Sequence, residues 1–252
     1  MNPEKIKSAV IMAAGLGTRM RPLTDRMPKP LAEINGIPLI ETSIKAMRRS
    51  GIEKIAVVTG YLGEQLAYLA EKYGNLSIVR NDNYDSMNNI SSVHAAFNAG
   101  FLNENSYICE GDLFIADPDV FSCDMPYENS SAVSAYFARP VNEPEYGDWG
   151  FLTDEGSLRI NRIKGPERRF CRFGMIGISA WLTGDLERLR DRVNSMMDTA
   201  DGRASFWDEA ADSLISEGMD VFVKPVSDGA VIEIDTVAEL EELRQAYKDK
   251  KI

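Results

Sequence analysis

The chain is short of the groups on which most enzymatic chemistry leans. It has one histidine, His94, in Ser91-Ser92-Val93-His94-Ala95-Ala96-Phe97, and no acid–base motif surrounds it. A catalytic triad is therefore not encoded, and His94 reads as structural. Cysteine is equally scarce. Cys109, Cys123 and Cys171 have no metal-like spacing, and an odd number in a chain without an export signal favours reduced thiols. No apolar run approaches the ~20 residues that span a bilayer, and Met1-Asn2-Pro3-Glu4-Lys5 lacks the apolar core of a signal peptide. A cytoplasmic protein with no membrane partner is the expectation. Positive charge is deficient as well: a formal net charge of −11 argues against general nucleic-acid binding, which needs a basic face. With 44% hydrophobic and 27% charged residues, and no repeat or low-complexity tract, the composition is that of a globular chain.

Against that acidic background one segment stands out. Residues 13–30 read Ala-Ala-Gly-Leu-Gly-Thr-Arg-Met-Arg-Pro-Leu-Thr-Asp-Arg-Met-Pro-Lys-Pro and follow the apolar run Ala9-Val10-Ile11-Met12, which has the pattern of a buried strand. A strand that empties into a glycine-rich, cationic loop suits phosphates. Gly15 and Gly17 let backbone N–H groups approach an anion, and both are expected to take dihedrals that other residues resist. Arg19, Arg21, Arg26 and Lys29 set four cations against the single Asp25. Two familiar phosphate loops are excluded by spacing. The dinucleotide fingerprint needs a glycine where Met20 stands, and the kinase-type loop needs a terminal Gly-Lys-Ser/Thr. Since the rest of the chain is acidic, attraction of an anionic substrate has to be local, through residues 19–29 and bound metal ions.

The first half alternates strands and helices: strands at 8–13, 54–59, 76–80 and 106–110, with helices at about 38–50, 63–73 and 89–101. Leu39, Ile40, Ile44 and Met47 recur at helical spacing, and Gly51 and Gly74 stop two of the helices. This order predicts a parallel sheet covered on both faces, with ligands at the carboxyl ends of strands. From about 130 the pattern shifts to strand-like segments at 131–138, 149–153, 158–163 and 173–181, with Asp154-Glu155-Gly156-Ser157 as a turn. Helices at about 183–197 and 204–217, strands at 220–225 and 230–234 and a helix at 236–249 complete the chain. The fold class expected is α/β: a Rossmann-like, mostly parallel mixed sheet flanked by helices, with a small β-hairpin insertion for an acceptor. One domain spans 1–252, with a nucleotide-binding half at 1–125 and an acceptor-binding half at 126–252.

Three further constellations carry chemistry. Asp112 follows the strand Tyr107-Ile108-Cys109, and Asp235 follows Ile232-Glu233-Ile234. Such a pair suits Mg²⁺, which takes one or two carboxylates together with waters and phosphates. Either residue also fits a helix N-cap. Alternation along a strand points Glu110 and Glu233 away from these aspartates. The polar loop 81–92 contains Asn88-Asn89, of which one suits a helix cap and Asn88 suits contact with a nucleotide base. Trp149, in Gly147-Asp148-Trp149-Gly150-Phe151, and Trp207, in Phe206-Trp207-Asp208-Glu209, each sit beside acids, whereas Trp181 ends an apolar strand and reads as core. A quaternary ammonium is best met by aromatic faces, with carboxylates adding charge. Tyr146, Trp149, Phe206, Trp207 and Asp208 form a candidate cage. Asp148, Asp208 and Glu209 equally suit a primary amine.

The stretch Ala13–Leu31 resembles the signature of nucleotidyltransferases that join a nucleoside triphosphate to a phosphorylated small molecule, Ala-Ala-Gly-x-Gly-(Ser/Thr)-Arg-(Leu/Met)-x-Pro-Leu-Thr followed by Pro-Lys-Pro/Ala-Leu. Sugar-1-phosphate members usually carry a Gly-Thr-Ala-containing segment further on. This chain has Tyr84-x-x-x-Asn88-Asn89-x-x-Ser92 there, which is similar to the bacterial choline-phosphate cytidylyltransferases. The resemblance runs with gaps from about residue 8 to 245, its specific motifs lying at 13–31, 81–92, 110–114, 147–151, 206–209 and 232–236. It implies the nucleoside-diphospho-sugar transferase fold, with Ala13, Ala14, Gly15, Gly17, Thr18, Asn88 and Gly111 around CTP. Lys29 near the α-phosphate and Arg19 on the departing pyrophosphate would be the catalytic pair, with Mg²⁺ on Asp112 and Asp235. Tyr146, Trp149, Phe206, Trp207, Asp208 and Glu209 would surround phosphocholine, with phosphoethanolamine or 2-aminoethylphosphonate as competing acceptors. A sugar-1-phosphate enzyme and a silent nucleotide-binding regulator are the rival readings. Retention of Arg19, Lys29, Asp112 and Asp235 together argues against the second.

Overall fold

Apolar runs of five or six residues, each feeding a helix through a glycine or a polar loop, set the frame. The computed structural model describes residues 4–141, 149–165 and 171–250. In chain order the first elements are β1 (Ser8–Ala13), β2 (Glu33–Ile34), β3 (Ile37–Pro38), α1 (Leu39–Arg49), β4 (Lys54–Thr59), α2 (Tyr68–Tyr73), β5 (Leu76–Arg80), α3 (Ile90–Asn98), β6 (Ser106–Glu110) and β7 (Leu113–Ile115). The chain continues with β8 (Tyr127–Glu128), β9 (Ser131–Ala132), β10 (Ser134–Pro140), β11 (Gly150–Thr153), β12 (Ile160–Lys164) and β13 (Phe173–Trp181). It ends with α4 (Thr183–Met197), α5 (Ala200–Ala204), α6 (Trp207–Ser216), β14 (Val221–Pro225), β15 (Val231–Glu233) and α7 (Val237–Tyr247).

A nine-stranded mixed sheet runs through both halves of the chain. Its parallel core is β5-β4-β1-β6, and β13 adds antiparallel to β6. On the far side of β13 lies β10, antiparallel, followed by β14, parallel to β10. The hairpin β11–β12 joins at the start of β13. Alternation along β1 divides the core between two faces. Val10 points into a cluster with Val93 of α3, Leu189 of α4 and Leu214 of α6. Ala9, Ile11 and Ala13 point into a second cluster with Ile44 of α1 and Leu69 of α2. Helices on both faces explain why the central strands read as unbroken apolar runs.

Several details differ from the sequence reading. The helix expected over 63–73 is a 3-10 turn at Gly63–Leu66 followed by α2, and α5 was not foreseen. The strand expected at 230–234 does not join the main sheet. As β15 it pairs antiparallel with β7 in a separate two-stranded ribbon, with α7 behind it against Phe114 and Leu39. β7 is only three residues long, too short for periodicity to reveal.

A candidate active site at the carboxyl ends of the parallel strands

Beyond Ala13 the chain makes three 3-10 turns, Thr18–Met20, Leu23–Asp25 and Lys29–Leu31, rather than an α-helix. Gly17 has φ 62°, and a Cβ there would lie 3.0 Å from Thr24 Cγ2 and 3.1 Å from Lys29 Cβ. The Thr24 hydroxyl donates to the Gly17 carbonyl at 2.8 Å, and the Tyr61 hydroxyl donates to the Thr24 carbonyl at 2.9 Å. Gly15 departs from expectation. Its φ is not in the left-handed region, and nothing lies within 4 Å of where its Cβ would be. Its missing side chain leaves room for a ligand rather than for a turn. Gly15, Gly17, Thr18, Arg19 and Lys29, with Ala13 and Ala14, line a cavity of about 290 Å³. Gly111, expected at the nucleotide, is not on the walls of that cavity: a Cβ there would come 2.7 Å from the Met12 carbonyl oxygen, so its role is close packing of two strand ends.

Asp112 lies in the turn between β6 and β7, and Asp235 follows β15. The ribbon brings them together, since Glu233 pairs with Leu113 and the Ile234 N–H donates to the Asp112 carbonyl at 3.2 Å. Neither aspartate caps a helix. Thr236 caps α7, its Oγ1 accepting the Glu239 N–H at 3.2 Å while Glu239 Oε2 accepts the Thr236 N–H at 2.8 Å. Lys29 Nζ donates to Asp112 Oδ2 at 2.5 Å and to Asp235 Oδ1 at 2.7 Å, and Arg19 donates to the same Asp235 oxygen at 2.6 Å. The two carboxylate oxygens on Lys29 are therefore separated by at most twice the longer of those bonds. Burial alone would lower the pKa of the Lys29 ammonium, but Asp112 and Asp235 outweigh it and hold it above its ordinary value. Asp112 Oδ1 is buried with no hydrogen-bond partner among the described residues. An open carboxylate oxygen next to a second aspartate is a donor set that a hard divalent cation fits.

The alternation argument against Glu110 and Glu233 does not hold. One oxygen each from Glu110, Asp112 and Glu233 lie within 4.8 Å of one another. The chain leaves the strand at Gly111, so Asp112 does not alternate with Glu110. Gly177, at φ 72°, leaves space on β13 that the Glu110 side chain fills, at 3.2 Å from where a Cβ would stand. Burial, then Asp112, Glu233 and Asp208, push the Glu110 carboxyl well above the usual range.

These acids border a second cavity of about 240 Å³, whose other walls include Trp149, Met175, Phe206 and Asp208. The rings of Trp149 and Phe206 meet edge to face, with centroids 5.2 Å apart. Asp208 is buried, accepts the Tyr136 hydroxyl at 2.9 Å, and is raised by burial to about 7. Two of the expected acceptor residues are not on these walls. Trp207, 3% exposed, stacks on Tyr136 at 5.7 Å and meets the buried Trp181 at 6.0 Å, so it belongs to the core. Glu209 turns back to accept the Phe206 N–H at 2.8 Å and caps α6. Tyr146 and Asp148 lie outside the described residues.

The Asn pair divides its work differently from the expectation. Asn88 lines a small cavity of about 140 Å³ beside Tyr84 and Gly15, but both ends of its amide are engaged. Oδ1 accepts the Asn89 N–H at 2.7 Å, and Nδ2 donates to the Ala204 carbonyl at 3.1 Å. Asn89 lines both this cavity and the larger one around Gly15, as does Ser92. Ser92 stood in the quoted motif, whereas Met175 and Gly177 had no signal in the sequence. His94 borders none of the three cavities.

Comparison with known proteins agrees with this geometry. Residues 9–146 match the model of the MobA-like NTP transferase domain. The 2-aminoethylphosphonate cytidylyltransferase of Lancefieldella rimae is 38% identical over 247 residues, covering 98% of this chain and 95% of its own. The choline-phosphate cytidylyltransferase of Streptococcus pneumoniae is 31% identical over 247 residues, covering 96% of this chain and 99% of its own. Among solved structures, a CTP:phosphocholine cytidylyltransferase from Streptococcus pneumoniae superposes with a TM-score of 0.80 at 29% identity, over 96% of this chain and 99% of that one. The chain belongs to the MobA-like NTP transferase family and is a nucleotidyltransferase of the cytidylyltransferase type.

Proposed function

We propose that the protein transfers CMP from CTP to phosphocholine, giving CDP-choline and pyrophosphate. The observation that carries this reading is the second cavity, where Trp149 and Phe206 stand beside the carboxylates of Asp208, Glu110 and Glu233. A sugar phosphate brings no cation to those carboxylates. An acceptor with a cationic head and an anionic tail brings one, and a trimethylated ammonium, which cannot donate hydrogen bonds, favours ring faces. A second reading, transfer to 2-aminoethylphosphonate, draws on the 38% identical relative and on the withdrawal of Trp207 into the core. That withdrawal removes one wall of the cage and leaves acids that suit a primary ammonium.

The acceptor phosphate is its own nucleophile. With a second pKa near 6 it is already mostly dianionic at neutral pH, so no general base is required. One of its oxygens attacks the α-phosphorus of CTP, the bond to the β-phosphate oxygen breaks, and pyrophosphate departs. Catalysis is then positioning and charge stabilisation. Lys29 and Arg19 supply charge for the phosphates, and the glycine-rich loop supplies N–H groups. Asp112 and Asp235 would hold Mg²⁺, which when bound neutralises phosphoryl oxygens. Three cysteines without metal-like spacing and the use of CTP are consistent with a reducing cytoplasm.

The test is pyrophosphate release with CTP, UTP, ATP and GTP, each paired with phosphocholine, phosphoethanolamine, 2-aminoethylphosphonate and glucose-1-phosphate. CTP with phosphocholine should give the highest kcat/KM. Preference for the phosphonate would establish the second reading, and turnover with glucose-1-phosphate alone would refute both.

A further inference from the structure

We propose that Asn89 is a positioning residue that couples the nucleotide cavity to the acceptor cavity. This rests on the assignment of the two cavities made above. Asn89 precedes α3 yet makes no side-chain cap to that helix. Instead its Oδ1 accepts the backbone N–H of Trp207 at 2.9 Å, 118 residues away. Trp207 is the first residue of α6, so this N–H is one of the four that a helix start leaves without an internal partner. The bond also fixes which way the amide points. Trp207 N–H can only donate, so the oxygen of Asn89 must face α6 and the NH₂ group must face away from it. Nδ2 makes no hydrogen bond among the described residues, and Asn89 lines both nucleotide-side cavities.

The helix start held in this way carries the acceptor wall. Phe206, immediately before it, faces Trp149, and Asp208, immediately after Trp207, lines the acceptor cavity. Asn88 reinforces the same junction, its N–H donating to the Arg203 carbonyl at 2.9 Å and its Nδ2 to Ala204. A nucleotide that accepts a hydrogen bond from Asn89 Nδ2 holds the amide still, and the amide oxygen holds Phe206 and Asp208 in place for the second substrate.

Two variants separate the two ends of the amide. Asn89→Ala removes both and should raise the KM for the acceptor ~tenfold, the effect of one lost hydrogen bond, together with the KM for CTP. Asn89→Asp keeps an oxygen for the Trp207 N–H but loses the donor. It should raise the KM for CTP and raise the acceptor KM less than Asn89→Ala does, because the wall keeps its hydrogen bond and loses only the nucleotide's hold on the side chain. Hydrogen exchange over residues 203–209 gives a readout without any acceptor. CTP with Mg²⁺ should slow it in the wild type and not in Asn89→Ala. The proposal is overturned if Asn89→Ala raises only the CTP KM, if the two variants impair the acceptor equally, or if CTP slows exchange equally with and without the amide. A wild type that turns over no amine acceptor while CTP still protects 203–209 would refute the proposed reaction and leave the coupling intact.

Discussion

Asp208 offers the sharpest test of how the acceptor cavity is built, through the substitution Asp208→Asn. The residue is 3% exposed, and its Oδ1 accepts the Tyr136 hydroxyl. Burial pushes its carboxyl from the ordinary 3.8 up to about 7, and the Tyr136 hydrogen bond pulls it back only in part. The fold therefore favours the neutral acid. Its contribution to stability is fully present below the unfolded value of 3.8 and is lost as pH rises through about 7. The gap between those values corresponds to about 4 kcal/mol as an upper bound. Asparagine has nearly the same shape, keeps an oxygen for Tyr136, and carries no charge at any pH.

Urea unfolding of both proteins between pH 4.5 and pH 8 is the assay. The stability of Asp208→Asn relative to wild type should climb across that range by about 2–4 kcal/mol. A difference that stays flat, within about 0.5 kcal/mol, would refute the claim that burial raises this carboxyl and makes its ionisation costly to the fold. The functional counterpart has the opposite sign. A cationic acceptor prefers the ionised acid, so its KM should fall from pH 6 to pH 8 in the wild type. In Asp208→Asn it should be higher and lose most of that dependence. Greater stability with poorer acceptor binding is what a residue retained for recognition should show.

Asp112→Ala or Asp235→Ala should lower kcat by at least ~100-fold while circular dichroism and Tm stay near wild type, and wild-type turnover in either variant would defeat the metal assignment. Gly17→Ala places a Cβ at φ 62° against Thr24 and Lys29 and should cost about 1–2 kcal/mol, read as a lower Tm; an unchanged Tm would mean that the loop is not held in that conformation. Glu41, buried in α1, accepts hydrogen bonds from Lys72 at 2.6 Å, Tyr68 at 2.7 Å and Tyr73 at 2.6 Å. Glu41→Gln turns an NH₂ group toward these donors and should cost about 2–4 kcal/mol in urea unfolding. Burial works against ionised Glu41, but the three donors hold its pKa below the ordinary 4.5. Its contribution is thus present above pH 4.5 and lost as pH falls, and the variant should lose less stability than wild type between pH 5 and pH 3.

The parallel half of the sheet was legible because its central strands β1, β4 and β6 are buried on both faces and Gly51 and Gly74 stop two of its helices. The strands 8–13, 54–59, 76–80 and 106–110 carry the boundaries read from the sequence. The glycine-rich loop and the two aspartates were legible as chemistry, but their meeting place was not. Asp235 reaches Asp112 through a ribbon whose β7 partner is three residues long and belongs to no periodic pattern. Thr236-Val237-Ala238-Glu239 did carry the capping-box signal that frees Asp235 from a capping role.

The segment Phe206–Glu209 shows where sequence reading stops. Four neighbouring residues, two aromatic and two acidic, looked like one recognition motif. At a helix start, successive side chains point about 100° apart, so neighbours in sequence face different surroundings. Phe206 stands at the cavity rim against Trp149, Trp207 enters the core on Tyr136, Asp208 turns into the acceptor cavity, and Glu209 folds back on the Phe206 amide. Which residue takes which role depends on the direction in which α6 enters the fold. Asn89, which lines the nucleotide cavity, holds the first N–H of that helix. A contact between positions 118 residues apart leaves no trace in local spacing, so the residue that joins the two cavities could be found only in three dimensions.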